Sequence, residues 1–289
     1  MGSLHLVLSV LLMGLIPVPA LPQGGDVPMI PSLSAPLSAD AFPSRSLAAS
    51  LSASGVTIVD LQSGQELFGR LAQRRRPIGS LAKVMTALLI VESRGMDEEV
   101  KIPATAAAMP GSTVRLPPGK HFTVGDLLSA TLIASANDAA ETLAIYHSGS
   151  ADAFVAAMND RARSLGLQDT SFSNPTGLDE PGQWSTPRDL AWLAAYALRQ
   201  PQIRERMSTA SAVITSREGD TLNLQHTHAL LRTGSDVLAG KTGTTAAAGQ
   251  CLLSLVREGG REYLVVLLGS RERYADMRAV LRVLRAFFA

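Results

Sequence analysis

Apolar and polar positions divide this chain into three regimes. Residues 55–60 form a short apolar stretch that reads as a strand, Gln62-Ser63-Gly64 supplies a turn, and 66–70 can pair back as a hairpin. From Ser80 to Arg94 the period lengthens. Leu81, Met85, Leu88 and Leu89 recur near helical spacing, and Gly95 supplies a stop. Between about 96 and 232 the pattern predicts mainly helical pieces, at 124–133, 138–147, 151–165 and 187–199, while 103–121 and 200–222 carry no readable pattern. The last third returns to short apolar runs at 237–240, 251–256 and 263–268, with a hairpin turn at 257–261. Tyr274, Met277, Val280, Leu281, Leu284 and Phe288 then mark an amphipathic terminal helix. Two strands early and three late predict a five-stranded antiparallel sheet built from both chain ends. Helices should flank it, with a mainly helical subdomain inserted over about 96–232. That is an α+β arrangement, not a βαβ repeat.

The first residues read as export machinery. Positions 6–16 are an almost unbroken apolar run, too short for a comfortable membrane span, and Pro17-Val18-Pro19-Ala20 closes it with small residues before a cleavage point. Only His5 stands where a leader usually carries Lys or Arg, so an uncleaved short anchor remains the alternative to a signal peptide over 1–20. Residues 21–48 are rich in Pro, Ser and Ala and are expected to be a linker, with the folded domain running over 49–289. A net charge of +1 and 4% aromatic residues leave no electrostatic footprint or stacking platform for nucleic acid. Cys251 is the single cysteine, which excludes an intramolecular disulfide and any multi-cysteine metal site. No cofactor is expected.

Three small polar motifs carry the candidate chemistry. Ser80-Leu81-Ala82-Lys83 opens the first long helix, and a spacing of three puts both side chains on one face. A serine hydroxyl needs a neighbour to remove its proton. A lysine can do so only if burial or another cation lowers its pKa. Taken alone, the same residues read more simply as an N-cap and a surface charge. Ser135-Ala136-Asn137 falls in a break between helical stretches. Its hydroxyl can shuttle a proton and its amide can hold a peptide carbonyl, although Asp138-Ala139-Ala140-Glu141 makes helix capping the simpler reading there. Lys241-Thr242-Gly243-Thr244-Thr245 follows a strand. A cation and a hydroxyl suit a substrate carboxylate, Gly243 permits close backbone approach, and the Thr244 N–H can serve an oxyanion; a polar strand end is the alternative. Of 26 basic residues only four are lysines, and two of those four stand in these motifs. Lysine can act as a neutral base and arginine effectively cannot, which accounts for Lys83 directly.

Together the motifs resemble the active-site serine penicillin-binding proteins and class A β-lactamases. The likeness is to the low-molecular-mass D-alanyl-D-alanine carboxypeptidases above all, over most of 53–288. Flanking text carries it: Arg76-Pro77-Ile78-Gly79 before the first motif, Asp138-Ala139-Ala140 after the second, Leu178 to Thr186 with Arg188-Asp189-Leu190-Ala191, and Ala248-Gly249 after the third. The resemblance implies a β-lactamase/transpeptidase-like fold, with Ser80 acylated, Lys83 as base, Ser135 relaying a proton to the leaving D-alanine, and Asn137 contacting substrate. Lys241 and Thr242 would hold the terminal carboxylate, and the Ser80 and Thr244 N–H groups would form the oxyanion hole. Arg273 matches an arginine near that carboxylate across a one-residue gap. Peptidoglycan stem peptides are the implied substrate and β-lactams the implied covalent inhibitors. The implied location is outside the cytoplasmic membrane, periplasmic or wall-associated.

Two features depart from the family. Its usual Asn-x-Asn before the third motif is His226-Thr227-His228 here, a pair that invites a metal reading without a further ligand cluster nearby. The β-rich second domain and amphipathic anchor of larger members are not expected, so no stable membrane attachment is expected once the leader is cut. A DD-endopeptidase that cuts cross-links would use the same residues, and the third motif leans toward a carboxypeptidase. A β-lactamase would need a loop glutamate in a Glu-x-x-x-Asn pattern, whereas the loop offers Asp179 and Glu180. A non-catalytic wall-binding protein would be expected to carry a damaged motif.

Overall fold

The computed structural model describes residues 42–233 and 235–288. The expected leader, 1–20, and most of the expected linker lie outside these residues. In chain order the elements are α1 (Ser44–Ser50), β1 (Gly55–Asp60), β2 (Glu66–Arg70), α2 (Lys83–Ser93), β3 (Glu99–Lys101), α3 (Ala104–Ala107), β4 (His121–Thr123), α4 (Val124–Leu132), α5 (Asn137–Ser148), α6 (Ala151–Ser164), α7 (Pro187–Ala197), α8 (Pro201–Ser208), β5 (Ser211–Thr215), β6 (Thr221–Gln225), β7 (Val237–Thr245), β8 (Gly249–Glu258), β9 (Arg261–Ser270) and α9 (Arg273–Phe288). Among the described residues, no helix is long and apolar enough to cross a membrane.

The main sheet runs β2-β1-β9-β8-β7 with every pair antiparallel, so both chain ends do build it. Helices cover both of its faces, which explains why its inner strands read as continuous apolar runs instead of alternating ones. Val56, Ile58, Val265, Leu267 and Leu252 face one layer, where they meet Phe42, Leu47, Met277, Val280 and Leu284 of the α1 and α9 region. Val59, Leu264, Val266, Leu268, Leu253 and Leu255 face the other layer, with α2, α7 and the helices inserted after them. Strand residues two apart share a face, so each neighbouring pair feeds both layers at once.

The structure corrects four expectations about extent. The described residues begin at Phe42, inside the segment read as linker, and α1 occupies part of that segment. Its sequence has one large apolar residue and no capping side chain, so it carries no helical period. Burial of Phe42 and Leu47 against α9 holds it, together with the Arg70 guanidinium, which donates to the carbonyls of Ala48, Leu51 and Ala53 at its end. The inserted region contains two small antiparallel sheets in addition to helices: β3 with β4, which α3 separates along the chain, and the hairpin β5–β6. β5 and β6 bury one residue each, Ile214 and Leu224, too weak a pattern to read. A 3-10 turn, Gly79–Ala82, precedes α2, so Ser80-Leu81-Ala82-Lys83 straddles two helix types. Finally, β7 continues to Thr245, because Lys241, Thr242 and Thr244 stay in register with Leu253, Leu252 and Gln250.

Replacing Leu47, which is fully buried, with alanine should destabilise the protein by about 2–5 kcal/mol in urea unfolding. A loss below about 0.5 kcal/mol, the size of an ordinary surface change, would mean that α1 is not part of the core.

Candidate active site

Three elements converge where the motifs meet. The 3-10 turn brings in Ser80, the irregular segment between α4 and α5 brings in Ser135, and the edge strand β7 brings in Lys241. Neither Ser80 nor Ser135 caps a helix. The N-cap positions are Ile78, Ala82 and Ala136, and none has a side-chain capping bond. Ser80 is half-buried and Lys83 fully buried, so the hydroxyl meets the cleft while the amine stays behind it. Lys83 Nζ donates to Ser80 Oγ at 3.1 Å, Asn137 Oδ1 at 2.6 Å and the Thr176 carbonyl at 2.5 Å. Burial lowers its pKa well below the ordinary lysine value, Lys241 lowers it further, and Asp138 opposes the shift. Asp138 is itself fully buried and accepts from the Leu116 N–H at 3.0 Å.

The other two motifs share the second lysine. Lys241 is fully buried and donates to Ser135 Oγ at 2.6 Å and the Thr242 carbonyl at 2.9 Å. Burial, then Arg273, lowers its pKa to about 7. Ser135 sits at φ 60°, a strained conformation for a residue with a Cβ, in the break between two helices. Asn137 spans the site, accepting from Lys83 and donating to the Pro110 carbonyl at 2.7 Å. Arg273 reaches the same strand: it donates to the Gly243 and Cys251 carbonyls at 2.9 and 3.0 Å, to Gln250 Oε1 at 3.1 Å and to the Thr244 hydroxyl. All nine candidate residues, Ser80, Lys83, Ser135, Asn137, Lys241, Thr242, Gly243, Thr244 and Arg273, therefore gather around one cleft.

Backbone proximity makes the cleft possible at two glycines. A Cβ on Gly243 would lie 2.9 Å from both the Ile78 carbonyl oxygen and the Ser80 nitrogen, so β7 can lie against the Gly79–Ala82 turn only without a side chain there. The same approach brings the Thr244 N–H beside Gly79, next to the Ser80 N–H. A Cβ on Gly177, at φ 87°, would lie 2.1 Å from the Gly79 carbonyl. This second contact belongs to the segment 174–177, just before the Leu178–Thr186 stretch that the sequence singles out. Its contribution is the Thr176 carbonyl on Lys83, a backbone group that leaves no side-chain signature. The available signal was turn chemistry: Asn174 Oδ1 accepts from the Gly177 N–H at 2.8 Å, and Pro175 lies between them. Asp179 and Glu180 lie beyond, lining a cavity of about 320 Å³ with Pro77, Ile78 and Ala247. Asp179 is occupied by Thr245 and the Ala247 N–H.

His226 and His228 are both buried, with rings 6.5 Å apart. The His228 N–H donates to His226 Nδ1 at 3.0 Å, and His228 Nε2 shares a 2.8 Å hydrogen bond with Ser254. Cys251 is buried on β8, and burial pushes its thiol up to about 11, away from thiolate chemistry.

A model of the D-alanyl-D-alanine carboxypeptidase family matches residues 43–272. The D-alanyl-D-alanine carboxypeptidase DacF of Bacillus subtilis is 33% identical over 237 residues, which are 79% of this chain and 61% of DacF. A D-alanyl-D-alanine endopeptidase of Escherichia coli is 32% identical over 75% of this chain and 71% of its own length. Among solved structures, the Streptomyces K15 DD-transpeptidase superposes with a TM-score of 0.76 at 26% identity, covering 82% of this chain and 97% of that one.

Two outcomes follow from the packing and the buried charge. Gly177→Ala should lower stability by about 1–3 kcal/mol and slow any reaction at Ser80, read by thermal melts and active-site labelling; wild-type behaviour in both would refute the close approach. The unfolded chain keeps Lys241 protonated up to the ordinary 10.5, so between about pH 7 and 10.5 it binds a proton that the folded site does not. This group's contribution to stability therefore rises with pH across that window. Urea titrations should show that rise flattened in Lys241→Met, and an unchanged slope would contradict the depressed pKa.

Proposed function

The chain belongs to the D-alanyl-D-alanine carboxypeptidase family, and on that premise we propose that it hydrolyses peptidoglycan stem peptides through an acyl-enzyme on Ser80. The observation that carries the reading is the buried lysine, Lys83, 3.1 Å from a half-exposed serine, with its pKa lowered well below the ordinary value. Neutral Lys83 takes the Ser80 proton, and Ser80 Oγ forms a bond to the carbonyl carbon of the penultimate D-alanine. The oxygen that gains charge is received by the Ser80 and Thr244 N–H groups. As the C–N bond breaks, the leaving D-alanine nitrogen takes a proton from Ser135. Ser135 Oγ is held by Lys241, leaving its own O–H to donate, and the proton held by Lys83 replaces the one given up. Water then attacks the acyl carbon, with Lys83 accepting its proton and Ser80 leaving as the hydroxyl. Lys241, Thr242 and Arg273 face the terminal carboxylate.

A β-lactam offers the same groups a strained amide and should acylate Ser80. The family name supports release of the terminal D-alanine. The relative named an endopeptidase supports a second reading, in which the same acylation cuts a cross-link. We place the activity outside the cytoplasmic membrane, where stem peptides are found, and assign residues 1–20 as the leader that takes the chain there.

Benzylpenicillin should add its mass to the Ser80 peptide of wild type and not to Ser80→Ala, with free D-alanine released from a pentapeptide stem. Cleavage of cross-linked dimers alone would move the reading to endopeptidase, and no adduct with no product would refute it. Lys83→Met should slow acylation by roughly a hundredfold to ten-thousandfold. The pH profile of kcat/KM should have its Lys83 limb well below the ordinary lysine range and should decline above about pH 7 as Lys241 loses its proton. A profile flat across that range would contradict the assignment.

A further inference from the structure

The His226-Thr227-His228 turn takes no part in the steps above, yet its contacts reach three sides of the cleft. The Thr227 N–H donates to the Ile133 carbonyl at 3.1 Å, two residues before Ser135. On α9, Tyr274 Oη donates to the Thr227 carbonyl at 2.9 Å and accepts from the Ala229 N–H at 3.0 Å. On β7, the Thr242 hydroxyl donates to Thr227 Oγ1 at 2.7 Å. His228 fastens the turn to the sheet. Its ring is fully buried, bonded to Ser254, and lies over Gly240, the cross-strand partner of Ser254. The ring fits only because residue 240 lacks a side chain, since a Cβ there would lie 2.4 Å from His228 Cδ2.

We propose that this turn is a positioning element for the Thr242 hydroxyl, with Thr227 standing behind Thr242 and His228 pinning the turn one residue from Lys241. The proposal rests on the reading of Thr242 as a carboxylate ligand. When an anion accepts the Thr242 hydrogen bond, Thr227 can turn its own O–H onto Thr242 Oγ1. Each hydrogen bond in such a chain strengthens the next. Thr227 holds that position because both its N–H and its carbonyl are already bonded. Burial, aided by Arg273, lowers the pKa of His228 to about 4, so the pin is a neutral ring over the working range and adds no charge beside the carboxylate. Its Nδ1 is buried without a hydrogen-bond partner, an unfavourable arrangement in itself. The imidazole is therefore explained better by what it places than by its own bonding.

The test compares an acyl-D-Ala-D-Ala peptide with the same peptide carrying a C-terminal amide. Thr227→Val keeps the volume and removes the hydroxyl. KM for the carboxylate peptide should rise about tenfold, the scale of one hydrogen bond to a charged group, with kcat within about twofold and KM for the amide peptide unchanged. Thr227→Ser should restore the wild-type value. His228→Leu should raise KM in the same selective way, and His228→Gln, which keeps a polar nitrogen in reach of Ser254, should recover most of it, with thermal melts confirming a folded protein. A wild-type KM in Thr227→Val, or equal losses on both peptides, would overturn the proposal. A wild type that neither hydrolyses the peptide nor is acylated at Ser80 would defeat the peptidase reading and this proposal with it.

Discussion

The site depends on holding two lysines out of water in one cleft. Lys83 and Lys241 are both fully buried; burial weakens the hold of each on a proton, Lys241 weakens that of Lys83 further, and Arg273 that of Lys241. Taking an ammonium group out of water costs several kcal/mol even after relaxation. The surroundings offset this with acceptors. Thr176, Asn137 and Ser80 surround one nitrogen, and Ser135 and Thr242 the other, while Asp138 lies close enough to act on Lys83. What is not offset appears as a lowered pKa, which is the property a base next to serine requires. The reactivity therefore belongs to the enclosure and not to the lysine alone.

The fold supplies that enclosure from separate parts of the chain. A helix start carries Ser80, a strained break between helices carries Ser135, and an edge strand carries Lys241. Burying both faces of the sheet under helices makes the edge strand rigid enough to hold Lys241 against Ser135. Backbone then approaches backbone at Gly177 and Gly243, where any side chain would force the elements apart. The arrangement leaves Ser80 facing the cleft, while the groups that activate it are shielded from solvent.

Legibility in the sequence followed the kind of group involved. The strands at 251–256 and 263–268 and the helices α4 to α7 and α9 were readable because their burial is continuous or periodic. α1 was not, because Phe42 and Leu47 are its only deep anchors and they face a helix more than 200 residues away. The side chains Ser80, Lys83, Ser135 and Lys241 stood out through motif and scarcity, four lysines among 26 basic residues. The Thr176 and Pro110 carbonyls did not, since an accepting carbonyl has no residue preference. Arg273 became legible only through the family resemblance, because its guanidinium meets β7 across a gap that no local pattern spans. The polar tail of β7 was hidden for a related reason: its backbone pairs with β8, while its own polar side chains break the apolar run.

The small number of lysines makes the central claim directly measurable. Labelling the chain with lysine carrying ¹³C at Cε and titrating by NMR, with Lys83→Met and Lys241→Met for assignment, reads both site groups in place. The account predicts that the Lys83 signal titrates well below 10.5 and that the Lys241 signal titrates at about 7. Both signals titrating at the ordinary lysine value in the folded protein would contradict it, because Lys83 would then be a cation at neutral pH and could not take the Ser80 proton.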